Sequence, residues 1–309
     1  MEEKPGQRLE ELAFPVATLL GTLFGLALPG FWHWTRQYIV WLLVPLMVFS
    51  LVKIGPGELR DGLRRPDLLL AGLVFLYLAV PLTMWGAGLA AGLDPELLFG
   101  VVLASLAPTI VLAPFFTGMI GGNRVLAAML SVVSTLLSPL LMPGMLLLLV
   151  GRTVTVPAAT IALNAGALVC LPVVIALVLR KAAPSLKDGP FRGERYASSI
   201  IFFIFMWGVI GSSLGGISIL SAGMLLAFAL LQEYVFYFGL RWALGRMAAR
   251  GAMSLPNAKA LALCIGIKNG AMTAGIALTF SSTAAVSSGL ITLVSAPMFI
   301  LFGAFGERM

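Results

Sequence analysis

The chain has a single histidine, His33, and only two cysteines, Cys170 and Cys264. That scarcity excludes a disulfide framework and a Cys/His metal site. It also leaves an intramembrane enzyme without its metal ligands or its nucleophile–base set. Charge is equally sparse: 11% of residues are Asp, Glu, Lys or Arg, against 60% hydrophobic, which excludes an ordinary soluble domain. No glycine-rich phosphate loop is present, so ATP-driven transport finds no motor. The apolar runs are continuous rather than alternating, which argues against a transmembrane β-barrel.

What the chain does have is a series of stretches near the roughly 20 residues that cross a bilayer. They predict ten transmembrane helices: Ala13–Pro29, Tyr38–Lys53, Leu68–Leu93, Glu96–Met119, Val125–Val150, Val156–Arg180, Ala197–Leu214, Ile219–Leu240, Ala260–Phe280 and Ala284–Phe305. The expectation is an all-α membrane protein, a single polytopic unit over residues 1–309. With a cytoplasmic N-terminus, only Arg36 and Arg152 fall on the outer side and Lys268 falls within the membrane; the rest of the 20 Lys and Arg lie inside. This asymmetry follows the positive-inside rule and places both termini in the cytoplasm of a cell (inner) membrane protein. The net charge of +7 then reflects loops facing anionic lipid and calls for no nucleic acid. The stretch Gly57–Pro66 reads as a topological anchor or short interfacial helix. His33, between Trp32 and Trp34, reads as part of an aromatic belt. The acidic, polar start MEEKPGQRLEEL is unlike a cleavable signal peptide. Cys170 and Cys264, both inside spans, read as small apolar residues.

Ten spans divide into five plus five, repeat one over about residues 13–150 and repeat two over about 156–305, and an odd-numbered half gives an inverted repeat. The fourth and ninth spans match. Each begins near a proline, Pro95 or Pro256, has a disturbed centre, and ends in a polar turn, Gly121–Asn123 or Ser281–Thr283. Pro108 and Pro114 lack an N–H and force the fourth span to bend or open. Gly266 and Gly270 bracket Lys268-Asn269 in the ninth, where glycine tolerates an unwound backbone. Broken helices at matching positions of two halves point to a transporter's binding site.

Lys268 lies more than two helical turns from either end of its span, so snorkelling to the interface is strained. A charge at that depth costs roughly 3 kcal/mol on insertion scales and usually marks an ion or substrate path. Glu233, beside Gln232 in the eighth span, is the only acidic residue well inside a span. It is a candidate partner for Lys268; local pairing through Tyr234, Tyr237 or backbone is the alternative. Thr109, Asn164, Ser134 and Ser138 are weaker cavity candidates, since small polar residues also hold helices together.

From about Leu42 to Ala304 the sequence resembles the bile acid:sodium symporter family, ten-span carriers of the wider bile acid/arsenite/riboflavin transporter superfamily. The resemblance is carried by Leu43–Phe49 with Asp61–Pro66, by Val133–Pro143, and by Gly266-Ile267-Lys268-Asn269-Gly270 at the place of the family's Gly-Met-Gln-Asn-Ser core. It implies a panel domain and a core domain, with the broken fourth and ninth helices crossing in the core. It also implies alternating access and small organic anions as substrates, generally carried with sodium. The departures bear on that last point. Cys264 stands where the family has a sodium-ligating glutamate, Lys268 replaces a glutamine ligand, and Ala113-Pro114 replaces a Ser-Asn pair; only Asn269 and Ser131 keep polar groups at matching positions.

Sodium needs several oxygen ligands, and an ammonium among them repels it. The expectation is a sodium-independent carrier, proton-coupled or uncoupled, with no bound metal or cofactor. In it the Lys268 ammonium replaces bound sodium, takes up and releases a proton, or meets an anionic substrate together with helix N-termini. A sodium symporter with a rebuilt site is the alternative within the class, and a non-transporting membrane sensor the alternative outside it. The oligomeric state, monomer or otherwise, is left open.

Overall fold

A computed structural model describes residues 5–29, 38, 41–52, 65–183, 193–213 and 217–305. Regular structure among them is helical throughout: α1 Pro5–Ala27, α2 Leu43–Leu51, α3 Pro66–Ala90, α4 Pro95–Ser105, α5 Ala113–Met119, α6 Arg124–Val150, α7 Ala158–Ala182, α8 Glu194–Ser213, α9 Ile219–Ala249, α10 Leu255–Gly266, α11 Gly270–Ala277 and α12 Ser282–Phe305. Five of these, α3, α6, α7, α9 and α12, are long and apolar enough to cross a membrane, and α1, α4, α8 and α10 hold shorter apolar stretches. His33 with its tryptophans and most of the Gly57–Pro66 stretch lie outside the described residues.

Local chemistry sets the helix starts. Asp94 accepts from the N–H groups of Glu96 and Leu97 at the head of α4, and Asn123 from those of Val125 and Leu126 at the head of α6. Ser254 does the same for Asn257 at the head of α10. Each satisfies N–H groups that the first helical turn leaves open. α9 runs past the Leu240 expected from the sequence to Ala249, because the residues that follow are mostly good helix formers, with Gly245 alone among them unfavourable, until Gly251 takes a positive φ just past the end.

Two helices contain a π turn the sequence does not announce, Phe75–Ala79 within α3 and Leu231–Val235 within α9. Each bypasses one carbonyl and lets a long helix change register without ending.

The two broken segments follow one plan: a proline-started helix, an irregular centre, a short helix, a turn and a long helix. They are α4–α5–α6 and α10–α11–α12. Pro108 lies in the first break, as expected. Pro114 instead sits in the first turn of α5, where its missing N–H would be unpaired anyway; it starts a helix and does not open one. Gly266 and Gly270 do not serve through backbone freedom, since neither has positive φ. A Cβ on Gly266 would lie 2.8 Å from the Tyr237 Cα, and one on Gly270 2.6 Å from the Ser288 carbonyl oxygen. They are glycines because α9 and α12 press against the break.

The turn after α5 is tied to the head of α10. Asn123 N–H donates to Pro256 O at 2.9 Å, Asn123 Nδ2 to Asn257 Oδ1 at 2.7 Å, and Lys259 Nζ to Ile120 O at 2.6 Å. Lys259, expected among the loop charges, is thus buried, its ammonium meeting carbonyl dipoles at a helix C-terminus.

Candidate functional site

The breaks cross. Thr109 and Lys268 form an isolated antiparallel bridge, in which Ile110 N–H donates to Ile267 O at 3.3 Å and Asn269 N–H to Pro108 O at 2.8 Å. Unwound backbone at this depth persists only where protein satisfies its polar groups, and the remaining partners can be traced. Thr109 N–H donates to Ser134 Oγ, the Ser131 hydroxyl to Ile110 O, and the Thr109 hydroxyl to Cys264 O at 2.7 Å, a carbonyl left open by the end of α10. Asn269 Oδ1 accepts from Met272 N–H and caps α11.

Lys268 is 1% exposed, and its two ends have different partners. Its backbone N–H donates to Glu233 Oε1 at 3.1 Å, while its Nζ donates to Leu76 O, also at 3.1 Å. Glu233, fully buried, takes its second hydrogen bond on Oε2 from the Ser295 hydroxyl at 2.7 Å. The carboxylate therefore holds the broken strand's backbone. No ion pair joins it to the ammonium among the described residues. Neither tyrosine takes it: Tyr234 donates to Val294 O, and the Tyr237 hydroxyl, packed behind Gly266, has no partner among the described residues.

A cavity of about 120 Å³ opens beside the crossing. One wall is α1, α2 and α8, contributing Phe14, Leu43, Met47 and Phe202. The other is Ile110–Leu112, Lys268–Met272 and the Thr292, Ser295 and Phe299 positions of α12. Lys268, Asn269, Thr292 and Ser295 place polar residues around the start of α11, and aliphatic side chains with a few phenylalanine rings line most of the rest. Phe14 and Phe202 lie 4.3 Å apart, centroid to centroid.

Of the expected site residues, Lys268, Asn269 and Gly270 line this cavity. Thr109, Pro108, Ser131, Ser134 and Cys264 stand behind it, supporting the crossing. Gln232 turns the other way, reaching Ala104 O at 3.5 Å beside a much smaller cavity of about 10 Å³. Pro114 and Gly266 are packing positions. Asn164 bonds Thr279 away from the crossing, and Ser138 bonds Thr135 O within its own helix.

Sequence reasoning missed Ser295, Thr292 and the Leu76 carbonyl. Ser295 and Thr292 are two of many hydroxyls in the last span, with nothing in the sequence to single them out. A carbonyl carries no residue signal at all; the nearest hint was Pro81, five residues on.

Crossed helix breaks, a cavity at their intersection and several bilayer-length helices define a multi-pass membrane protein of the transporter class. The chain belongs to the sodium bile acid symporter family, whose family model matches residues 40–226. It is 22% identical to YocS, described as an uncharacterized sodium-dependent transporter of Bacillus subtilis strain 168, over 91% of this chain and 86% of that one. To the uncharacterized protein YbaS of the same organism it is 26% identical over 96% of both. With BASS1 of Arabidopsis thaliana, described as a probable chloroplastic sodium/metabolite cotransporter, it shares 26% identity over 55% of this chain and 42% of that protein. The family match ends before Glu233 and Lys268.

Proposed function

We propose that this protein is a secondary transporter that moves small organic anions across a cell membrane by alternating access, without sodium. In this reading ten spans form two inverted halves with both termini cytoplasmic. α1, α2, α7 and α8 make the panel and the remaining helices the core, and the cavity between them is the transport site. Its polar end at the start of α11 suits an anionic group, which a helix N-terminus attracts, and its largely apolar wall suits an apolar body.

The observation that carries the proposal is the Lys268 ammonium, buried in the crossing and held by a carbonyl oxygen. The protein supplies a cation of its own where family members of the sodium-coupled kind hold a metal ion. That cation binds the crossed backbones to α3 and removes the need for sodium; coupling is then to protons, or absent. The sodium-coupled reading is supported by the sodium symporter family to which the chain belongs and by the descriptions of YocS and BASS1.

Thermal-shift screening of purified protein against carboxylates and sulfonates, with sodium and pH varied, tests the substrate class. Stabilisation by anions independent of sodium is expected. Uptake into proteoliposomes that is stimulated by sodium and lost in potassium buffer would decide for sodium coupling instead.

A further inference from the structure

The carbonyl that receives the ammonium is free for a reason that can be read residue by residue. In an α-helix Leu76 O would accept from Val80 N–H, four residues on. In the π turn Val80 N–H donates instead to Phe75 O. A π-register partner for Leu76 would come five residues on, at Pro81, which has no N–H. One carbonyl is thus left without a helical donor inside an apolar span, at a depth where an unsatisfied polar group costs several kcal/mol. Lys268 Nζ lies 3.1 Å from it. Two liabilities of burial, a bare carbonyl and an unpaired ammonium, each meet the other's need.

We infer that Pro81 is a positioning residue for Lys268: by withholding an N–H it keeps the Leu76 carbonyl open as the seat of the ammonium. This deepens the reading of Lys268 as the transporter's built-in cation. Pro81 is buried, is not among the residues that line the cavity, and takes part in none of the crossing's hydrogen bonds. Its effect runs through the register of α3. A residue other than proline at position 81 supplies a competing donor, or lets the helix relax so that Val80 takes Leu76 O. Either way the amine is displaced.

The test uses Pro81→Ala and Pro81→Leu, which restore the same N–H with different bulk, each made in wild-type and Lys268→Met backgrounds in detergent. The first readout is acylation of Lys268 by acetic anhydride, followed by mass spectrometry with Lys259 as internal reference. Both variants should label Lys268 several-fold faster than wild type, with Lys259 unchanged. The second readout is the melting temperature. Both substitutions should lower it in the wild type and have little effect once Lys268 is methionine. An unchanged Lys268 labelling rate, equal losses of melting temperature in both backgrounds, or an effect from only one of the two side chains overturns the inference. Neither readout depends on transport. Coupling between positions 81 and 268 in a protein that moves no anion would sink the proposed function and leave the positioning role standing.

Discussion

The two helix breaks are alike in plan and unlike in what holds them. The first, between α4 and α5, draws its partners from nearby: Ser131 and Ser134 of α6, the next long helix, bond Ile110 O and Thr109 N–H. All of these are neutral. The second, between α10 and α11, relies on distant helices, Glu233 and Ser295 for the backbone and Leu76 O for the ammonium. One break is opened by a proline and closed by hydroxyls. The other carries a charge of its own, and a carboxylate from α9 and a carbonyl from α3 are brought to it. The difference teaches that the charged break gathers three helices, α3, α9 and α12, at one point, while the neutral one, beyond the bonds the two breaks share at the crossing, is held by its own hairpin.

If that contrast is right, substitutions at the second break should do more than their counterparts at the first. Lys268→Met should have the largest effect, lowering anion uptake in proteoliposomes by on the order of tenfold or more while the protein still inserts and folds. Wild-type uptake in that variant would make Lys268 merely structural. Glu233→Gln comes next. Its two oxygens accept from two donors, and an amide nitrogen in place of one sets donor against donor, at a cost of about 1–3 kcal/mol measured as a lowered melting temperature.

Gly266→Ala should cost about 1–3 kcal/mol of stability by overpacking, because the new Cβ meets the Tyr237 backbone and not a yielding side-chain tip. An unchanged melting temperature would show that α9 can draw back from the break. Ser134→Ala, at the first break, should be the mildest, about 1 kcal/mol, since the two bonds its hydroxyl makes, from Thr109 N–H and to Ser131 O, are both neutral and 3.2 Å long. A loss at Ser134 as large as that at Glu233 would erase the distinction between the two breaks.

How much of this was legible beforehand differs between the breaks. Pro108 announced the first through its missing N–H, a property of the residue itself. Lys268 announced that the second was special, because a charge in an apolar run stands out against any background. Its glycines were noticed for the wrong reason: Gly266 and Gly270 looked like hinges and are points of close approach, a role that depends on what packs against them. Glu233 was correctly brought near Lys268, but to the backbone N–H and not the ammonium. Charge pairing alone suggests an ion pair; only geometry shows which end of a lysine a carboxylate meets.

The sequence by itself determined an all-helical membrane protein, the place of both interruptions, and a lysine at the heart of one. Those are consequences of hydropathy, missing N–H groups and the cost of charge in lipid, all carried by single residues or short runs. The tertiary structure decided the partners: the Leu76 carbonyl for the ammonium, Ser295 for Glu233, and a largely apolar cavity assembled from α1, α2, α8, α12 and the two breaks. A hydrogen bond joins atoms across about 3 Å of space, and Leu76 and Lys268 are 192 positions apart along the chain. Nothing in either residue's neighbours specifies the other until the helices pack.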